Sequence, residues 1–398
     1  MSRSWFSAYL IVGVLVVGAG FAFWPKPDPD IVWLEARQLM AEKAFPEADR
    51  TLTRLAKLRA PTTLDWLLRA QVAMAMNRID EAFSDLEHVP DSEPLAAAQA
   101  RLQAGQLELR RNRARYAEKY LRKAVELDPK AVQQRRELIF IYGFQLRRPE
   151  LMVQFRALSI LTSLTYDDAF LWCLTRGAEW EPSEASNWLQ KFVDADPDDR
   201  ESRIALADNR RREQRFDEAE VLLAPLPISD PTAIGIRARI AIDRNDEALL
   251  AKILATGPQD NPDLARIRAR MAQIDRRTDE AIRLYQIVLK SENDDPESLR
   301  GLGQCYFIKG ESELAEKYLN QAKMYDKLGG LVMRAAPGPQ RNDVELVFNL
   351  GKACEAVERF PEALAWYRLI LQRDPLDPRA QAAIYRVKAA LEKQLSKD

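Results

Sequence analysis

After an uncharged run from Trp5 to Trp24, apolar and polar positions along this chain recur in blocks of about 34 residues. The clearest block boundary is Arg359-Phe-Pro-Glu-Ala-Leu-Ala-Trp-Tyr367. Variants of its first five residues end at Ala48, Ala82, Ala219, Ala248 and Ala281, with looser copies ending at Ala117 and Ala315. Between Ala117 and Ala219 the same step falls on Leu151 and Ala185. Successive steps from Ala48 to Ala363 are 34, 35, 34, 34, 34, 29, 33, 34 and 48 residues. A fixed period in this range marks stacked supersecondary units, each too small to bury its own apolar face.

Each block predicts two antiparallel helices. They can approach closely only where side chains are small, which accounts for Gly or Ala near the eighth position and Ala near the twentieth. Larger groups four and seven residues later fill the seam with the next pair. Asp-Pro at 128–129, 196–197, 230–231 and 374–375 ends second helices, because the residue before proline resists the α region. Asp-Glu or Pro-Glu before the alanine suits a helix first turn. Leu151 replaces the small residue in one pair and predicts a slight splay there. Pro225 shortens another second helix and predicts an irregular joint near 224–233.

With units starting near 29, 63, 98, 132, 166, 200, 230, 262, 296 and 344, the chain resembles the tetratricopeptide repeat family. The last unit carries the resemblance most fully, in Gly351, Ala363, Tyr367, Ile370 and Pro375. The unit from 98 carries it in Gly105, Ala117, Leu121, Ala124 and Pro129, and Trp66 takes the tryptophan position of the unit from 63. The expected fold is all-α, a right-handed α-solenoid of about ten helix-turn-helix units preceded by one transmembrane helix. The expected divisions are a tail at 1–4, an anchor at 5–24, a proline-rich linker at 25–29, and units one to six at 29–233. Units seven to nine follow at 234–329, an inserted loop at 330–343, unit ten at 344–377 and a capping helix at 378–398.

The anchor follows from length. Twenty residues at about 1.5 Å each span the roughly 30 Å apolar core of a bilayer, and aromatic residues mark both ends. A cleaved signal peptide ending near Gly20-Phe-Ala22 is the competing reading. A retained anchor predicts a single-pass membrane protein with its bulk on the extracytoplasmic side, the cytoplasmic side being the alternative.

Charge and chemistry narrow the function. Fifty-nine basic and sixty acidic residues give a net charge of −1, which offers no excess positive charge for nucleic acid. Cys173, Cys305 and Cys354 form no CxxC pair and no disulfide framework; they fall in first helices as small core residues. His88 is the single histidine and reads as a helix-surface or core imidazole. Asp194-Ala-Asp-Pro-Asp-Asp199 imitates a calcium loop but has Asp199 where glycine is required and Ala205 where the closing glutamate is required. Arg110, Arg111, Arg113 and Arg115 read as a solvated cluster at a turn. No catalytic motif, cofactor site or metal site is recognised, and no enzymatic activity is expected.

The resemblance implies ligands in a groove lined by first-helix positions. On this chain those positions are Phe140, Phe144, Phe170, Leu171 and Leu174 in the middle units, and Arg266, Arg270, Arg300, Gln304, Asn349 and Lys352 nearer the C-terminus. A groove grading from apolar to basic would suit a peptide with hydrophobic anchors and acidic groups; core packing for the aromatics and a solvated face for the arginines are the alternative. The expected function is a membrane-tethered scaffold for protein or peptide partners, the alternative being an assembly component of an envelope or secretion complex acting by oligomerisation.

Overall fold

The computed structural model describes residues 27–174, 182–336 and 338–395. The expected anchor at 5–24 lies outside them, as does most of the linker. Among the described residues there are 21 α-helices, one 3-10 turn and no strand. None of these helices is long and apolar enough to cross a membrane.

The helices run in consecutive pairs. They are α1 (Pro29–Ala41) and α2 (Phe45–Ala56), α3 (Thr63–Ala75) and α4 (Ile79–Glu87), α5 (Pro94–Arg110) and α6 (Ala114–Leu127). Then come α7 (Val132–Phe144) and α8 (Arg148–Leu161), α9 (Tyr166–Leu174) and α10 (Pro182–Ala195), α11 (Arg200–Arg212) and α12 (Phe216–Leu223). The last four pairs are α13 (Ala233–Asp243) and α14 (Glu247–Thr256), α15 (Pro262–Ile274) and α16 (Thr278–Ser291), α17 (Pro296–Ile308) and α18 (Ser312–Ala335), α19 (Val344–Ala356) and α20 (Phe360–Arg373). α21 (Pro378–Leu395) closes the chain, with Ala383 and Val387 buried and Lys388, Glu392 and Lys393 exposed. The chain forms two compact units, one up to residue 107 together with 126–128, the other comprising 108–125 and everything from 129 onward.

One turn is used throughout. Nine of the ten intra-pair turns lie in described residues, and in each a residue of positive φ follows the first helix: Lys43, Asn77, Asn112, Leu146, Gln214, Asn245, Arg276, Gly310 and Glu358. The next backbone N–H donates to the carbonyl five residues back, as in Ala44 to Leu39, Arg147 to Tyr142 and Arg359 to Cys354. This is the Schellman motif, which satisfies the last carbonyls of one helix while aiming the chain into the next. Only Gly310 adopts the left-handed conformation without a Cβ penalty. First helices of the later pairs are capped by a side chain, Asp199, Asn261, Asp295 and Asp343 each accepting from the backbone N–H three residues on. Asp199 and Asp196 of the calcium-loop imitation are thereby used, the first as a cap and the second as partner of Arg115 at 2.7 Å. Arg115, though exposed, therefore ties α6 to the loop after α10.

The close helix crossing behaves as the spacing predicts. Ala48, Ala82, Ala117, Leu151, Ala185, Ala219, Ala281, Ala315 and Ala363 are all buried. A Cβ on Gly351 would stand 2.6 Å from Cε1 of Tyr367, and one on Gly303 would stand 2.8 Å from Cγ of Leu319. Ala248 breaks the series, being exposed. The turn residue there is Asn245 and α14 begins at Glu247, so Leu250 occupies the alanine position. Counted by turn residues, Gln214, Asn245 and Arg276 lie 31 apart twice over. The expected steps of 29 and 33 are thus two equal short units.

Short second helices carry a further device. α12 ends on Leu223, and Arg237 of α13 reaches back to the carbonyls of Leu223, Leu226, Pro227 and Ile228 at 2.8–3.2 Å. Thirty-one residues on, Arg268 of α15 does the same for Leu254, Gly257 and Pro258 at the end of α14, at 2.6–2.8 Å. Arg101 of α5 reaches Leu86 and Val89 at the end of α4. A guanidinium offers five donors in a fork, enough to take several helix-end carbonyls at once.

The first six residues of the expected inserted loop at 330–343 are helix. α18 runs on to Ala335, with Gly329 and Gly330 inside it, because Leu328, Val332 and Ala335 are buried along one face. Its last carbonyl, that of Ala335, accepts from the Tyr166 hydroxyl of α9 at 2.9 Å. Among the described residues that follow, 338–342 forms a 3-10 turn.

Candidate functional site

The first-helix positions named from sequence fall into three groups. In the first, Phe140 and Phe144 of α7 pack edge-on at 5.0 Å and both meet Trp188 of α10. Phe144 is buried, so it belongs to the core. Phe170 stacks on Tyr166 at 6.5 Å, and Leu171 and Leu174 are half-buried on the same helix.

In the second group, arginines are rungs between units. Arg266 pairs with Asp263, Glu292 and Asp295, the last being the cap of α17. Arg239 to Asp263, Arg200 to Asp230 and Arg136 to Asp168 repeat this link from a first helix to the start of the next. Burial disfavours the charged Arg266, but Asp295, Glu292 and Asp263 outweigh it and hold the guanidinium firmly protonated. Arg300 is more exposed and takes Asp326 at 2.9 Å. Two of the three arginines assigned to a basic patch are therefore already neutralised.

The third group is open. Arg270, Gln304 and Lys352 stand six residues before the turn residue on α15, α17 and α19, and all are exposed, as is Asn349. Gln304 accepts from Gln273 at 2.8 Å, linking α15 to α17. Met271, Ile274, Phe307 and Ile308 on the same two helices are also exposed, Phe307 by 71%. The equivalent positions on α7, α11 and α13 are occupied: Phe140 by aromatic packing, Asp208 by Arg211 and Arg212, Arg239 by Asp263.

Sequence reasoning gave no sign of a contact between distant pairs in the larger unit, where α8 and α9 meet α18, α19 and α20. Trp366 of α20 is fully buried, lies edge-on to Tyr166 at 5.4 Å, and donates its indole N–H to Cys173 Sγ at 3.2 Å. The Cys173 and Cys354 thiols lie 3.7 Å apart. Arg368 donates to the Ser159 carbonyl at 3.0 Å and Arg341 pairs with Asp167 at 2.7 Å. Trp366 gave no signal, because the position three residues after the motif alanine also holds Tyr120, Trp188 and Tyr318.

This contact also buries Arg359 and Glu362, leaving them 7% and 2% exposed. The same arginine-glutamate spacing is solvent-facing in Arg215–Glu218 and Arg277–Glu280. Arg359 pairs with Asp294 at 2.7 Å and lies over the Tyr325 ring. Burial opposes its charge, yet Glu362 and Asp294 more than compensate and its affinity for the proton rises. A cavity of about 1140 Å³ opens here, lined mainly by the second helices α8, α18 and α20. A smaller one of about 280 Å³, beside Gly329 and Gly330, shares Arg359 and Tyr325 with it. His88 stacks on Trp66 at 4.2 Å, and among the described residues no group of acidic, histidine or cysteine side chains could hold a metal.

Residues 264–328 and 334–378 match the tetratricopeptide repeat family. Those segments cover α15 to α18 and the α19–α20 pair, so the chain carries tetratricopeptide repeats there. No curated protein sequence matches the chain. Among solved structures it is similar to the APC/C hetero-tetramer Cut9–Hcn1, at 13% identity and a TM-score of 0.36 over 90% of this chain and 76% of that one. It is also similar to the TPR domain of P58(IPK), at 16% identity and a TM-score of 0.27 over 92% and 99%. The C-terminal part of a TPR repeat-containing protein from Cytophaga hutchinsonii shows 13% identity and a TM-score of 0.32 over 68% and 99%.

Proposed function

We propose that the protein is a membrane-tethered scaffold that holds a segment of a partner protein along the exposed first-helix row of its C-terminal repeats. The observation that carries this reading is the change in that row at α15. On α7, α11 and α13 the equivalent positions are filled, whereas Arg270, Gln304 and Lys352 face solvent on successive first helices. Exposed Ile274, Phe307 and Ile308 beside them supply apolar anchor points, and a stretch of this kind is uncommon on a surface with no partner. An extended partner segment with alternating apolar and acidic side chains fits the combination. The tether is the run Trp5–Trp24, with the repeats on the extracytoplasmic side.

The test is a crosslinking pull-down from membranes with Arg270→Glu and Lys352→Glu combined. Partner capture should be lost while helical circular dichroism is unchanged; capture at the wild-type level would overturn the row as a binding surface. Protease protection in sealed vesicles reads the membrane side, and digestion of the repeats from the cytoplasmic face would reverse the orientation.

A further inference from the structure

We infer that Cys173 and Cys354 are a redox pair whose disulfide fastens α9 to α19, making the contact between the fifth and tenth helix pairs a covalent lock. It does not rest on the scaffold reading, because neither cysteine belongs to the exposed row of Arg270, Gln304 and Lys352.

The two Sγ atoms lie 3.7 Å apart. That is sulfur–sulfur van der Waals contact with no atom between them, and a disulfide draws the pair to about 2.05 Å. The cysteines are 181 residues apart in the chain. Most pairs in a solenoid are held by their neighbours in sequence. α9 is held to the C-terminal pairs by a few direct bonds, such as Tyr166 to the Ala335 carbonyl and Trp366 to Cys173. A cross-link closing so long a loop takes the most freedom from the open state.

Access differs between the two thiols. Cys173 lines the cavity of about 280 Å³ beside Gly329 and Gly330. Both glycines are exposed, and nothing lies within 4 Å of where a Cβ on either would stand. The cavity gives a small oxidant an approach to Cys173, whereas Cys354 is fully buried. Cys305 is an internal control, packed in a different cluster with Ala269, Tyr285 and Leu302.

The oxidant is a small-molecule disulfide, RSSR. The Cys173 thiolate attacks one of its sulfurs, forming a mixed disulfide as RS⁻ leaves. The Cys354 thiolate then attacks Cys173 Sγ, and the second RS⁻ leaves. The protein gives up two protons and two electrons, and RSSR takes them to become two RSH. Burial, and then Cys173 itself, push the Cys354 thiol upward, so the second step is slow while the contact stays closed. The lock sets as α9 and α19 come together and holds afterwards.

The experiment uses the full-length chain in detergent, reduced and then freed of reductant, in an equimolar mixture of 2-mercaptoethanol and its disulfide. One sample is exposed folded, a second while refolding from urea. After acid quenching and alkylation in denaturant, non-reducing peptide mapping by mass spectrometry should show Cys173 joined to Cys354 and Cys305 alkylated. Hydrogen exchange of α9 amides should slow about 30-fold or more relative to the reduced protein. Cys305→Ser should keep both the link and the slowing. Cys354→Ser should leave Cys173 free or carrying a single mixed disulfide, with α9 exchange unchanged by the oxidant. A link in the folded sample supports the lock; a link on refolding alone supports it too and dates oxidation to before the contact closes. No link in either sample, links to Cys305 in the folded protein, or a link that leaves α9 exchange unchanged would each overturn it.

Discussion

Arg268 offers the sharpest test of how the short units are held. Its guanidinium donates to the carbonyls of Leu254, Gly257 and Pro258 at the end of α14, a helix of ten residues. Arg268→Met keeps much of the stem and removes every donor. Hydrogen bonds from a charged donor contribute about 1.5–3 kcal/mol each when buried. Arg268 is only half-buried, so water recovers part of that, and the net loss should be about 2 kcal/mol. In a repeat protein this loss stays local, because each pair leans chiefly on its neighbours. Hydrogen exchange is therefore the right assay: protection of α14 amides should fall about 30-fold, with far smaller changes beyond α13 and α15. Arg268→Lys should lie between, since one ammonium cannot fork across three carbonyls. Unchanged α14 protection, or an equal loss in the exposed control Arg270→Met, would refute the reasoning.

The turn residues give a matched pair: Arg276→Gly should stabilise and Gly310→Ala destabilise, each by about 1 kcal/mol in denaturant titration, because both positions hold φ near +60 to +76°. Gly351→Ala should cost about 1–3 kcal/mol by pushing on the Tyr367 ring, and combining it with Tyr367→Leu should recover part of the loss. Cys173, Cys305 and Cys354 are buried, and burial pushes the Cys354 thiol upward; all three should resist alkylation at pH 8 until denaturant is added. Asp208 and Asp230 are held below the usual carboxylate range: burial opposes this, but Arg211, Arg212 and Arg239 prevail at the first, and the Ala233 N–H and Arg200 at the second. Such groups add stability above about pH 4 that is lost as pH falls through their lowered values, whereas Asp199, raised by burial, works in the opposite sense. Asp208→Asn with Asp230→Asn should flatten the fall in denaturation midpoint below about pH 4; an equally steep fall would remove these residues as its cause.

The pairing of helices was legible because it rests on local contacts. A glycine eight positions into a unit and a large residue at the twenty-fourth must touch, and Gly351 against Tyr367 shows how tightly. The register at Ala248 misled because Asp-Glu before alanine is first-turn chemistry that can occur without the crossing. The two glycines at 329–330 suggested a loop, but burial of Leu328, Val332 and Ala335 overrides their weak helix propensity. Arg266, Arg270 and Arg300 lie on first helices, yet whether each is open or paired depends on carboxylates about thirty residues away, such as Asp295 for Arg266. The contact of α9 with α19 and α20 had no periodic trace at all.

That contact changes the order in which the chain can mature. A solenoid can set each pair as it emerges, needing only the one before. Cys173 must wait for Cys354, which lies 181 residues later. At about 5–20 residues per second of synthesis, α9 spends roughly 10 to 35 seconds with its Tyr166 and Cys173 face unoccupied. For that interval the middle of the protein is a client for whatever covers apolar surface in the cell, and a truncation before unit ten would make the interval permanent.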